Sequence, residues 1–153
     1  MILFLDTVSP LPVFSIIKEY KVIKSIQILN KNSNKIWDCI IPAYLTLQNQ
    51  LEINDKIKKL IVCTGPGSFT ALRVGIAFMY GLSVSKKISL IGISCTDLLQ
   101  LAVPRLDKKK TLMIICSSND QNFIATSSNK KGKYLINKID SKLHSIKIDY
   151  YNY

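Results

Sequence analysis

The chain reads as an α/β domain built on a mixed sheet. Three observations carry that reading. Short β-branched runs alternate with longer segments of helical period, two early runs are close enough to form a hairpin, and one strand leads through a glycine turn directly into a helix. The first run, Ile2–Leu5, is apolar, ends at Asp6-Thr7 and is expected to be a buried strand. Pro10 and Pro12 punctuate the turn after it. Val13–Ile17 and Val22–Leu29 flank Glu19-Tyr20-Lys21 and predict the hairpin, with Lys31–Asn34 a polar loop beyond it.

From Lys35 to Leu51 the period changes. Ile36, Ile40, Leu47 and Leu51 share one helical face, and Trp37, Ile41, Tyr44 and Gln48 an adjacent one. Ser33 or Asn34 is placed to cap this helix, and Pro42 inside it is expected to kink or divide it. Lys59–Cys63 predicts a second buried strand, running into Thr64-Gly65-Pro66-Gly67-Ser68. Phe69–Ser85 follows as a helix apolar nearly all round, which implies burial on more than one side. Ile88–Ile93 predicts a strand, Cys95–Val103 a short helix and Thr111–Cys116 another strand. Phe123–Ser127 and Tyr134–Ile139 predict a second, smaller sheet, and the residues ending at Tyr153 are expected to fray.

Composition excludes several classes. At 153 residues and 48% hydrophobic, the chain has one domain's worth of core, which argues against disorder throughout. Its longest uncharged apolar stretch, Val74–Val84, falls short of the roughly 20 residues a membrane span needs. MILFLDTVSP lacks the basic start of a signal peptide, and Asp6 interrupts its apolar run, so a cytoplasmic location is expected. Cys39, Cys63, Cys95 and Cys116 form no CxxC pair, which fits neither a zinc site nor a disulfide framework and predicts scattered buried thiols. The net charge of +11 suits an acidic partner such as nucleic acid, yet of the 21 basic residues only Arg73 and Arg105 are arginine. A lysine-, asparagine- and isoleucine-rich composition reads as background, because dedicated phosphate sites favour the planar guanidinium fork.

The stretch Thr64–Ala77, TGPGSFTALRVGIA, carries the most information. Gly65 and Gly67 open backbone angles closed to other residues, Pro66 stiffens the turn, and Ser68 or Thr70 can cap the helix. Free amides at such a helix start can bind an anion. The stretch lacks the lysine of a phosphate loop, and Thr70 stands where a dinucleotide fingerprint needs glycine. On physical grounds alone, a tight strand-to-helix turn is the preferred reading.

GPGSFTALRVGIA closely resembles the GPGSFTGLRIGLA signature of the TsaB (YeaZ) family. The opening strand with its Asp-Thr, the helix around Asp38-Cys39-Ile40-Ile41-Pro42, and Ile91-Gly92-Ile93-Ser94 followed by Asp97-Leu98-Leu99 extend the resemblance over Met1 to Val103. It implies an actin-like ATPase fold of the sugar-kinase type, an RNase H-like lobe at 1–104, with 105–153 a reduced second lobe and tail. It also implies a role in threonylcarbamoylation of the adenosine beside the anticodon of tRNA. The expected role is that of a non-catalytic subunit pairing with a TsaD-type paralogue. A TsaE-type ATPase and tRNA join through the complex, which uses ATP, and a homodimer is one alternative for the chain alone. No cofactor is expected on this chain. The sequence departs from the family pattern at Ala71, a usual glycine, and at Ile36, near a common histidine. Cys116-Ser117-Ser118 replaces a usual aspartate-alanine-arginine, and most of the second lobe is missing.

The candidate site residues follow. Asp6 and Thr7 mark a vestigial nucleotide site, where Val8 and Ser9 replace the glycine that a phosphate would need close by; a turn role for them is preferred. His144 is the only histidine, which argues against a triad or metal cluster. On the glycine-turn helix, Ala71, Gly75, Phe78 and Leu82 form a stripe suited to the chain's own sheet. Arg73, Ala77, Tyr80 and Val84 form a second stripe suited to a partner, with Trp37, Ile41 and Tyr44 of the first helix beside it. Two alternatives of other classes stand beside this subunit reading. One is a nucleotide-binding enzyme of the same superfold, resting on Asp6 and the glycine turn; the other is a basic RNA-binding domain, resting on charge.

Overall fold

The computed structural model describes residues 1–9, 11–29, 35–51, 53 and 56–102, together with three later strands. Strand β1 (Ile2–Asp6) pairs antiparallel with β2 (Val13–Lys18), which pairs antiparallel with β3 (Lys21–Gln27). Helix α1 (Ile36–Leu51) leads to β4 (Lys59–Cys63), and α2 (Phe69–Lys86) leads to β5 (Leu90–Ile93). The β1–β4 and β4–β5 pairs are parallel, so the sheet is mixed, in the order β3-β2-β1-β4-β5. Helix α3 (Cys95–Ala102) follows. The strands β6 (Leu112–Cys116), β7 (Asn122–Ser127) and β8 (Tyr134–Ile139) form a separate antiparallel sheet. The expected boundary at 104/105 and the expected caps Ser33 and Asn34 lie outside the described residues, as do Val103 and Thr111.

The hairpin turn is chemically unusual. Glu19 and Tyr20 both take positive φ, at 51° and 63°, the conformation that asparagine and glycine normally supply between twisted strands. The side chain of Tyr20 is fully exposed.

The strand period of two sorts the sheet into faces. Leu3 lies opposite both Ile16 and Leu60, and Leu5 opposite both Phe14 and Val62, so these six point to one side. All six are buried, and α1 and α2 cover them with Ile36, Ile40, Ala43, Leu47, Val74, Phe78 and Met79. Each such leucine, isoleucine or phenylalanine contributes about 1.5–3 kcal/mol by leaving water. The other face is less covered: Ile2, Phe4, Ile17 and Ile61 are half-buried and Ile91 is 43% exposed.

Helix α1 runs undivided through Pro42, contrary to an expected division there. Proline there removes the amide that would bond the Asp38 carbonyl, but both residues sit on the exposed face, which leaves that oxygen open to solvent. One turn later the Thr46 hydroxyl donates to the Pro42 carbonyl at 2.9 Å.

Tyr44 is a second departure. It is 6% exposed and packs into an aromatic trio with Phe14 and Phe78, at centroid distances of 6.0 and 5.3 Å. Phe14 and Phe78 meet edge-on at 5.7 Å. Burial raises the pKa of the Tyr44 hydroxyl, which finds no hydrogen-bond partner among the described residues. A hydroxyl in that position contributes desolvation cost and no bond, so Tyr44→Phe is expected to leave stability unchanged or raise it. Tyr44→Ala should lose about 3–5 kcal/mol by opening a cavity in the trio. Urea unfolding of the two variants measures both; a loss above about 1 kcal/mol in the phenylalanine variant would show that the hydroxyl holds the fold.

Candidate functional site

Two features gather the sequence-marked residues: the junction at the carboxyl ends of β1 and β4, and the outer face of α1 and α2.

At the junction, the Asp6 Oδ1 accepts the amides of Val8 at 2.7 Å and Ser9 at 3.2 Å. The carboxylate therefore closes the turn that leaves β1. Thr7 points to the opposite side and is buried against α2, its hydroxyl without a partner among the described residues. Gly65 adopts φ +91°, a region that side-chain-bearing residues rarely enter, and the Gly65–Pro66 peptide is cis. The turn is tied to the next strand and helix. Thr64 N–H donates to the Ile93 carbonyl at 2.8 Å, and Cys95 N–H to the Gly65 carbonyl at 2.8 Å.

Gly67 is required by close approach. A Cβ added there would collide with the Val8 side chain. Val8 thus lies directly on the glycine turn, between it and the Asp6 turn. Ser68 occupies the position before α2, as expected of a cap, but its side chain makes no capping bond, and Thr70 is exposed in the first turn. Val8 covers Gly67, and Asp6 Oδ1 already accepts two backbone amides. No group of three or more metal-ligating side chains occurs among the described residues.

Helix α2 approaches the sheet through Gly75, whose missing Cβ would lie 2.6 Å from Thr7 Cγ2 and 3.4 Å from Leu5 Cδ2. Ala71, Phe78 and Leu82 pack against the core beside it. The opposite side of α2 is open rather than buried on a second face: Arg73, Ala77, Tyr80 and Val84 are exposed, with Tyr80 at 64%. Phe69 and Ile76, which the sequence reading did not single out, extend this face, and the Arg73 guanidinium lies 4.0 Å from the Phe69 ring centroid. Their i, i+4 and i, i+3 spacing to Arg73 and Tyr80 was the available signal. On α1, Trp37, Ile41 and Leu45 are exposed. Tyr44, expected among them, belongs to the core instead, because it is four residues from buried Ile40 and turns toward Phe78. The Tyr44–Phe78 contact sets α1 beside α2 on one side of the sheet, with both apolar rows facing outward.

The mixed five-stranded sheet with α1 and α2 on one face defines an α/β lobe of the actin-like ATPase class. The family model described as "TsaD: tRNA N6-adenosine threonylcarbamoyltransferase" matches residues 31–145, well over half of the chain, and the chain belongs to that family. A curated relative, "tRNA threonylcarbamoyladenosine biosynthesis protein TsaB" of Buchnera aphidicola subsp. Schizaphis graminum (strain Sg), is 29% identical over 94 residues. That match covers 54% of this chain and 45% of the relative, so the chain spans less than half the length of the curated protein it matches. Among solved structures, "YeaZ from Pseudomonas aeruginosa" superposes with a TM-score of 0.68 at 16% identity, covering 97% of this chain and 71% of that one. A second structure, of a Pseudomonas aeruginosa protein described as uncharacterized with similarity to peptidase YEAZ, gives the same TM-score and identity and is covered to 70%. The TsaB (YeaZ) resemblance read from GPGSFTALRVGIA is borne out by these relatives, and the fold is the one that the resemblance implies.

The packing of Val8 on Gly67 yields a direct expectation. Gly67→Ala should cost about 1–3 kcal/mol, since the added methyl has no space. Val8→Ala in the same chain should return at least half of that loss. A double-mutant cycle by thermal or urea unfolding measures the coupling, and additive effects would place Val8 elsewhere.

Proposed function

We propose that the chain serves tRNA threonylcarbamoyladenosine biosynthesis as a non-catalytic docking subunit that pairs with a TsaD-type paralogue. The observation that carries this is the exposed row on α1 and α2. Trp37, Ile41 and Leu45 on one helix, with Ile76, Tyr80 and Val84 on the other, leave an apolar surface open, and Arg73 stacked on Phe69 borders it. Interfaces concentrate tryptophan, tyrosine and arginine at such centres, and Ala77 gives a partner helix room for close approach. The relatives in tRNA threonylcarbamoyladenosine biosynthesis support the choice of pathway. A TsaE-type ATPase and tRNA join through the complex, and the same face supports a homodimer when the paralogue is absent.

The junction supports a role without chemistry on this chain. A nucleotide-binding enzyme of the actin-like class needs backbone open to phosphate and a free carboxylate beside it. Here Val8 fills the first position and the turn occupies an oxygen of the second. The dispersed lysines contribute a non-specific attraction for tRNA that salt weakens. No helix among the described residues is long and apolar enough to cross a membrane, and the chain is proposed to work in the cytoplasm.

Two experiments test the proposal. Ala77→Arg places a long charge in the small centre of the docking row. Pairing with the TsaD-type protein of the same organism, followed by size exclusion or pull-down, should weaken at least about a hundredfold, roughly 2.7 kcal/mol. Because Ala77 is exposed, melting should stay within about 3 °C of wild type. Unchanged pairing would move the interface elsewhere. In the assembled complex, Asp6→Asn retains the oxygen that accepts Val8 and Ser9, and turnover should change by no more than a few-fold. A loss on the order of a hundredfold, about 2.7 kcal/mol of barrier, would make Asp6 catalytic and overturn the subunit reading.

A further inference from the structure

Cys63 and Cys95 are 32 residues apart in the chain, yet their sulfurs lie 3.3 Å from one another. The fold brings them together in three steps. Parallel pairing of β4 and β5 ends at the Cys63–Ile93 position. Ser94 then caps α3, its hydroxyl accepting the Asp97 amide at 3.1 Å, which turns the chain back over the strand end. Finally, the Cys95 amide is held by the Gly65 carbonyl at 2.8 Å. The two thiols are buried, at 1% and 9% exposure, with Val8 and Leu98 packed against them. The Cys95 sulfur also lies 3.4 Å from the Pro66 carbonyl, inside the glycine turn.

We infer that Cys63 and Cys95 form an oxidative modification site, a dithiol that closes to a disulfide under a peroxide and thereby pins the glycine turn to the start of α3. Disulfide sulfurs lie about 2.05 Å apart, so closure requires the two to approach by roughly 1.2 Å from where the fold already holds them. The hydrogen bond between the two sulfurs lowers the pKa of Cys63, and the same bond, with burial, raises that of Cys95. The two directions favour the Cys63 sulfur over that of Cys95 as the nucleophile. Its thiolate attacks one oxygen of hydrogen peroxide, breaking the O–O bond, and hydroxide leaves with a proton as water. The resulting Cys63 sulfenic acid is attacked by the Cys95 sulfur. An S–S bond forms, the S–O bond breaks, and the oxygen departs with the Cys95 proton as a second water. Two thiols are oxidised by two electrons and one peroxide is reduced to two waters. Peroxide is close to water in size and reaches the pair through local opening of the turn.

The cross-link joins β4 to α3 across the residues that carry the family signature. It would rigidify a turn whose other ties are single hydrogen bonds. The reaction is independent of the docking face on α1 and α2, so its outcome does not depend on the proposed subunit role.

The test exposes the full-length folded chain to hydrogen peroxide, quenches it in acid, and alkylates it after unfolding for intact-mass and peptide analysis. The expected product is two hydrogens lighter, with Cys63 joined to Cys95 and with Cys39 and Cys116 alkylated, and dithiothreitol restores the mass. Cys95→Ser should leave Cys63 as a sulfenic acid trapped by dimedone, with no intramolecular bridge. If that variant fails to fold, the wild-type peptide map still decides the question. Four alkylatable thiols after treatment, a bridge to Cys39 or Cys116, or a bridge forming only in urea would each overturn the assignment. Hydrogen exchange of the amides of Thr64, Gly65, Gly67 and Ser68 should slow at least about tenfold in the oxidised chain, and unchanged exchange would overturn the pinning of the turn.

Discussion

The approach of α2 to the sheet through Gly75 governs much of the rest of this lobe. The helix comes so near to the sheet that a methyl group at position 75 would displace Thr7 and touch Leu5. Because α2 lies this low, Phe78 reaches Phe14 and Tyr44, and the aromatic trio ties both helices to the same sheet face. The same approach sets the opposite side of α2 outward. Arg73, Ala77 and Tyr80 are exposed because Gly75 and Met79 are turned fully inward, and a helix cannot bury both sides against one sheet.

The junction at the strand ends is held by the chain's own groups. Asp6 sits at the end of the first strand, but its Oδ1 accepts two amides of its own turn. Val8, the residue those bonds position, packs on Gly67. Gly65 takes a positive φ, and Gly67 leaves room for the Val8 side chain, so both glycines have a reason in the packing of this chain itself.

Element type and order were legible in the sequence where periodicity was strong. The apolar runs at Ile2–Leu5 and Lys59–Cys63 became β1 and β4, α1 falls where the period of 3.6 begins and ends, and α2 fills the long apolar segment after the glycine turn. The hairpin was legible from its flanks although its turn was not, since Glu19-Tyr20 lacks the asparagine or glycine that its positive φ angles favour. Pro42 misled because a proline rule takes no account of which face the residue occupies. On the exposed side of α1 the freed carbonyl is left open to solvent. Tyr44 misled for a related reason. Helical spacing places it between two neighbouring stripes, and only the position of Phe78 on another helix decides which one it joins.

By itself, the sequence determined the α/β class, the strand–turn–helix unit at Thr64–Ala77 and the family, because these rest on local periodicity and a contiguous string. It also determined that α2 carries more apolar surface than one sheet can cover. Tertiary structure alone decided which part of that surface stays open, that Val8 covers the glycine turn, and that Cys63 meets Cys95. Each of these depends on two segments far apart in the chain meeting through parallel strand pairing. Such pairing leaves no fixed spacing to read, since the intervening helix can vary in length without changing which residues meet.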